Sequence, residues 1–204
     1  MLTGVIVEHA GEKAVLETPH ELYYRFSAMA FERLQVNEPK IKSLLNKGKE
    51  LTVHEVNILY ENRLSMNNLV VYGALSLEAY INFYAIRYDI PFHNDFEKNL
   101  STLNKWKIYP HLKTNKSLDG SAIKLIKEIF RLRDEIVHPK PNRIIIGDNK
   151  PYNGKSIQSK IELLDKGQYI VDLNSVYKAI FKIDLDEKKS YENAPWMLEL
   201  QRIN

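Results

Sequence analysis

An arginine and a histidine separated by four residues, Arg133-Asp134-Glu135-Ile136-Val137-His138, close a helical stretch just before Pro139. Ala122, Ile126, Ile129–Phe130 and Ile136–Val137 recur at helical spacing. Arg133 falls on that apolar stripe, four residues after Ile129 and three before Ile136. A guanidinium turned toward a core is costly unless it is paired. Glu78 is a candidate partner. It lies between Ala74–Leu75 and Ile81–Asn82 in the most apolar part of the chain, so it too is expected to face inward.

His138 precedes a proline, which pushes it away from helical geometry, so the helix should end at Val137 or His138. Residues five apart on a regular helix are roughly 140° apart around its axis, and the break at Pro139 lifts that restriction on Arg133 and His138. Unpaired carbonyls at a helix C-terminus favour a charged imidazole by about 0.3–1 kcal/mol. Asp134, four residues before His138, can reach it across one turn and orient the ring. Together these residues could neutralise a phosphate and move a proton near neutral pH. Two plainer readings stand beside this one: Arg133 and Glu78 as a structural ion pair, and His138 as a favourable C-terminal cap.

The elements that must hold these residues are mainly helical. Leu22, Phe26, Met29, Ala30 and Leu34 predict a helix over Pro19–Val36, with Pro39 breaking the chain and a short piece over Ile41–Asn46. Leu51–Leu64 is ambiguous; Thr52 and Glu55 have capping-box spacing that supports a helix. Ser65–Arg87 is apolar nearly all round, the mark of a central helix. Asp95–Leu103 reads as a short helix leading to Trp106, and Pro110 closes that stretch. Ala122–Val137 is the second strong helix. Small hairpins are expected at both ends, Leu2–Val7 with Ala14–Glu17, and Lys160–Leu164 with Tyr169–Leu173. Arg143–Ile146 is a short β-branched run, Asn174–Ile183 one more helix, and Ser190–Asn204, with Pro195 and Trp196, a mixed tail.

Composition fits one domain over residues 1–204, with a core at 19–140 and an appendage at 143–204. Without cysteine, thiolate chemistry, disulfides and Cys-ligated metals are excluded, which accords with a reducing, cytoplasmic setting. A net charge of +3 permits an anionic partner without demanding one. No secretory leader is read at the N-terminus, and Glu78 and Asn82 interrupt Leu69–Ile86, so a core helix is favoured over a membrane span. His9, His20, His54, His93 and His111 form no metal-binding spacing and read as surface or packing residues. No phosphate-binding glycine loop or nucleophile elbow appears.

With these elements in place, the pattern resembles the HEPN family (higher eukaryotes and prokaryotes nucleotide-binding). The resemblance is carried by Arg133-Asp134-Glu135-Ile136-Val137-His138, by Leu75-Ser-Leu-Glu78-Ala-Tyr-Ile-Asn82 on the preceding long helix, and by Lys105-Trp106 between them. It covers roughly residues 65–140. It implies an up-and-down helical bundle and either a metal-independent endoribonuclease or a non-catalytic relative. In the active form two protomers pair to make one cleft, and no cofactor is required. His138 would move the proton, Arg133 would neutralise the phosphorane, Asp134 would orient His138 and Glu78 would hold Arg133. A toxin or defence role, with a cognate inhibitor or nucleotidyltransferase partner, goes with the resemblance.

Other features have plainer uses beside functional ones. Lys124, Lys127 and Arg131, interleaved with Glu128 and Glu135, could track a phosphate backbone but read first as a solvated face; Lys140, Arg143 and Lys150 would extend a basic rim. Tyr72, Tyr80, Tyr84 and Tyr88 could stack on bases but read first as packing residues.

Overall fold

The computed structural model describes residues 4–9, 12–46, 50–96, 98–138, 164–192 and 194. Strands β1 (Gly4–His9) and β2 (Glu12–Glu17) pair antiparallel, Gly4 opposite Glu17. Seven helices follow among the described residues: α1 (Pro19–Leu45), α2 (Val53–Arg87), α3 (His93–Phe96), α4 (Thr102–Thr114), α5 (Gly120–Val137), α6 (Lys166–Ile183) and α7 (Leu185–Tyr191). The protein is a mainly α helical bundle.

The centre is α2. Its capping box fixes the start: Glu55 N–H donates to Thr52 Oγ1 at 3.3 Å, and the Glu55 carboxylate accepts from Thr52 N–H at 2.9 Å. From Ser65 onward α2 is buried on most sides, with Leu69, Val70, Ala74, Leu77, Tyr80, Ile81 and Tyr84 all out of solvent. Against it pack α1 through Tyr24, Ala28, Phe31 and Leu34, α4 through Trp106 and Tyr109, and α5 through Ile126 and Ile129. The helix α6 closes the bundle with Tyr169, Leu173, Tyr177 and Ile180. Each fully buried large side chain contributes about 1.5–3 kcal/mol of transfer free energy.

One glycine is needed for this closure. A Cβ at Gly73 would stand 2.6 Å from the Tyr169 hydroxyl. That hydroxyl donates to the Val70 carbonyl at 3.0 Å, so α6 seats directly on the backbone of α2. Among the described residues α2 is the one helix long and apolar enough by composition to cross a bilayer. Most of its apolar window, 61%, is buried inside the fold, as in a core helix.

The C-terminal helices are locked by a buried polar cluster. Glu187 accepts from the hydroxyls of Tyr80 at 2.8 Å and Tyr88 at 2.5 Å, and lies 3.5 Å from the Arg87 guanidinium. Asp184 caps α7, accepts from Tyr84 at 2.7 Å and pairs with Lys113 at 2.6 Å. Burial pushes the Glu187 carboxyl up, whereas Asp184 is held below the usual carboxylate range: its burial is outweighed by hydrogen bonds from Lys113 and Tyr84.

Several elements differ from the sequence expectation. Pro39 does not break the chain; α1 runs through it to Leu45. Glu38 ties the turn down, pairing with Lys42 at 2.8 Å and with Lys166 of α6 at 2.7 Å. Pro110 does not end α4, because its ring is buried in the core and the helix runs on to Thr114. Residues 53–64 are continuous with the central helix rather than separate from it, with Thr52 as the cap. The segment Tyr169–Leu173 is not a strand of a C-terminal hairpin; it lies in α6, which starts eight residues before Asn174. Asp165 accepts from Gln168 N–H at 3.0 Å and nucleates that earlier start. The expected strands at Arg143–Ile146 and at 160–163 lie outside the described residues, as do Lys140, Lys150 and Trp196.

Candidate functional site

Three helices meet around Glu78 and Asn82. Glu78 projects from the middle of α2, beside Asn82 one turn further on. α5 crosses it with Arg133, and α4 approaches with Lys105. The aspartate that caps α5, Asp119, accepts from Ala122 N–H at 2.8 Å and fixes where that helix begins. At its other end His138 is the C-cap, its N–H donating to the Asp134 carbonyl at 2.9 Å.

The apolar stripe of α5 is narrower than the sequence pattern implies. The buried residues are Ala122, Ile126, Ile129 and Leu132, while Val137 is exposed. Arg133 therefore sits at the edge of the stripe rather than within the core, with 24% of its side chain exposed. Its guanidinium lies 3.9 Å from the Glu78 carboxylate and 5.4 Å from the Phe130 ring centroid. Its Nε is 3.1 Å from Asp134 Oδ1, yet no aligned hydrogen bond forms there. Glu78, Arg133 and Asp134 are thus brought together as a loose, half-open group.

His138 stands apart from it. The ring is exposed, and the residue lies about 7.5 Å further along the helix axis than Arg133 by the usual rise per residue. The Asp134 side chain is turned to Arg133 rather than shown orienting His138. A group bridging Arg133 and His138 would have to span that separation.

Two neighbours went unassigned in the sequence reading. Lys105 is 4% exposed, and its ammonium donates to Asn82 Oδ1 at 2.9 Å. Asn82 in turn lines a cleft of about 330 Å³ with Glu78 and with Tyr23, Leu75, Phe83 and Ile86. The signal was present: a lysine directly before the fully buried Trp106, and an asparagine on the inward face of the most apolar helix. A buried cation and amide at matched depth imply a polar connection.

Of the outward charges, Arg131 is engaged by Glu128 and Glu135 on its own helix, while Lys124 and Lys127 are exposed beside it. Tyr80 and Tyr84 are wholly buried, with hydroxyls committed to Glu187 and Asp184, so they are not stacking platforms. His20 is buried against Tyr80, Phe83 and Tyr191. Burial, with a smaller contribution from Arg87, lowers its pKa to about 3. No grouping of metal-ligating side chains occurs among the described residues. No protein-family model matches this chain, and no curated protein or solved structure matches it.

Proposed function

We propose that the chain is a HEPN-like endoribonuclease that cleaves RNA without a metal ion, acting as a homodimer. The observation that carries the reading is the meeting of Arg133 with Glu78 across the α5–α2 seam, with His138 exposed where α5 ends. In the proposed reaction an RNA 2′-hydroxyl attacks the adjacent phosphorus and the bond to the 5′-oxygen breaks. The products are a 2′,3′-cyclic phosphate and a free 5′-hydroxyl. One His138 accepts the 2′-hydroxyl proton and the other protomer's copy of this histidine protonates the leaving oxygen. The Arg133 guanidinium offsets charge on the phosphorane oxygens. A two-fold dimer suits this division, because each chain supplies only one such histidine. A toxin or defence effector, restrained by a cognate inhibitor or nucleotidyltransferase, is the setting this chemistry fits.

A second reading is favoured by one observation. Asp134 is turned to Arg133, and among the described residues no carboxylate pairs with the His138 imidazole to orient it. On that reading the same fold is a non-catalytic module that binds RNA, a nucleotide or a protein.

The test is incubation of a mixed RNA pool in EDTA with the purified protein, beside His138→Ala and Arg133→Ala. Cleavage leaving cyclic phosphate ends, lost in both folded variants, is the expected outcome. No cleavage, or equal cleavage by all three proteins, removes the nuclease assignment and leaves the binding module.

A further inference from the structure

The cleft beside Glu78 has a lining that selects one kind of ligand edge. Glu78 and Asn82 lie one turn apart on α2, and both face the same space. The Asn82 amide is oriented unambiguously: Lys105 has only donors, so the atom it meets at 2.9 Å is the carbonyl oxygen. The Asn82 NH2 group then points the other way, and no hydrogen bond to it is found among the described residues. The Glu78 carboxylate accepts no hydrogen bond among the described residues, and its one ion pair, to Arg133, is at 3.9 Å. A donor and an acceptor therefore stand side by side, both open to a ligand.

The remaining walls are apolar and aromatic, from Tyr23, Leu75, Phe83 and Ile86. Glu17 stands exposed at the rim. Two carboxylates disfavour a phosphate inside the cleft and favour a ligand edge rich in N–H. A simple amine would satisfy them but would give Asn82 no acceptor. The volume, about 330 Å³, is in the small-ligand range of roughly 300–1,000 Å³.

We propose that this cleft is a guanine pocket, in which the Asn82 amide donates to O6 and the Glu78 carboxylate accepts from N1–H and the N2 amine. Guanine carries an acceptor directly beside two donors on one edge. Adenine reverses that order, placing its amine against the Asn82 donor and a lone pair against the carboxylate. Uracil has the right order but only one donor for Glu78. The pocket's role as the base-selecting part of an RNA site rests on the nuclease reading. Arg133 lines no wall of the cleft and meets it through Glu78, 3.9 Å away.

The test is calorimetric titration of the full-length protein with guanosine, adenosine and uridine 5′-monophosphates, together with sequencing of RNA cleavage ends. Guanosine monophosphate is expected to bind about tenfold more tightly than the adenine nucleotide, since a mismatched buried polar group costs that much. Asn82→Asp keeps a partner for Lys105 and so preserves the fold, but it turns the donor into an acceptor. It should lose that preference while retaining affinity for the adenine nucleotide. No measurable guanosine monophosphate binding, no preference over the other two, or equal weakening of all three in Asn82→Asp would overturn the proposal. The two readings fail separately. Cleavage without a guanine bias removes the pocket and leaves the nuclease, whereas guanine-selective binding without cleavage removes the nuclease and leaves the pocket.

Discussion

Arg87 and Arg133 each face a glutamate across a seam of α2, but the two meetings differ in finish. At Arg87 the partner Glu187 is fully buried and accepts from two tyrosine hydroxyls, with the guanidinium Nη1 3.5 Å away as an ion pair without an aligned hydrogen bond. Arg87 also donates to Ser190 at 2.6 Å and lies over the rings of Tyr88 and Tyr191. At Arg133 the partner Glu78 is 38% exposed, the separation is longer, and neither Glu78 nor the Arg133 Nε makes an aligned hydrogen bond among the described residues. Buried charge is tolerated when it is paired and hydrogen-bonded, as the Glu187 carboxylate is by Tyr80 and Tyr88, and such clusters fix structure. A half-open group with unused hydrogen-bonding capacity is available to a ligand. The first cluster locks α7 to α2; the second is where chemistry could be received.

The comparison can be broken most forcefully at Glu187. Glu187→Ala strips the Tyr80 and Tyr88 hydroxyls of their acceptor and leaves Arg87 partly buried without its ion-pair partner. A loss of about 3–5 kcal/mol in urea unfolding is expected, and a loss below about 1 kcal/mol would show that the cluster is not what locks α7.

The next effect is a pH dependence from the same region. The pKa of His20 falls from 6.5 to about 3 on folding, so the unfolded chain binds more protons and stability declines as pH drops from 6.5 toward about 3. The slope should approach about 1.4 kcal/mol per pH unit. Glu187, raised by burial, acts in the opposite direction, and Asp184, lowered, loses its contribution only at more acid pH. Comparing His20→Gln with the parent cancels both carboxylates; equal slopes for the two proteins would refute the assignment to His20.

The smallest effect on stability belongs to Arg133. Its ion pairs are long or half-exposed, so Arg133→Ala should cost less than about 1 kcal/mol of stability while, on the proposed nuclease reading, abolishing RNA cleavage. A large destabilisation would instead move Arg133 into the structural class with Arg87.

Much of the scaffold was legible from periodicity. Thr52 and Glu55, the apolar run through Tyr84, and Pro139 after His138 each pointed to the helix or helix end that exists. Proline was over-read, because the local penalty at Pro39 and Pro110 is outweighed by contacts that sequence order does not reveal, such as Glu38 with Lys166. Tyr169-Ile-Val-Asp-Leu173 alternates over five residues as a strand would, yet Tyr169, Leu173, Val176, Tyr177 and Ile180 form one buried helical face. Within the candidate site, the pattern pointed to Glu78 and Arg133 as neighbours, but it put both in the core, whereas their side chains are 38% and 24% exposed. The Lys105–Asn82 bond did not follow from pattern, since its partners are 23 positions apart and only packing of α4 on α2 brings them into register.

The position of α2 in the chain has a consequence for how the molecule comes to exist. Its tyrosines are completed by Asp184 and Glu187, which follow Tyr84 and Tyr80 by 100 and 107 residues. At a synthesis rate of roughly 5–20 residues per second, the most apolar surface of the nascent protein waits about 5–20 s for its last covering helices. During that interval the long helix is a surface that a chaperone, or another copy emerging on the same message, could occupy first.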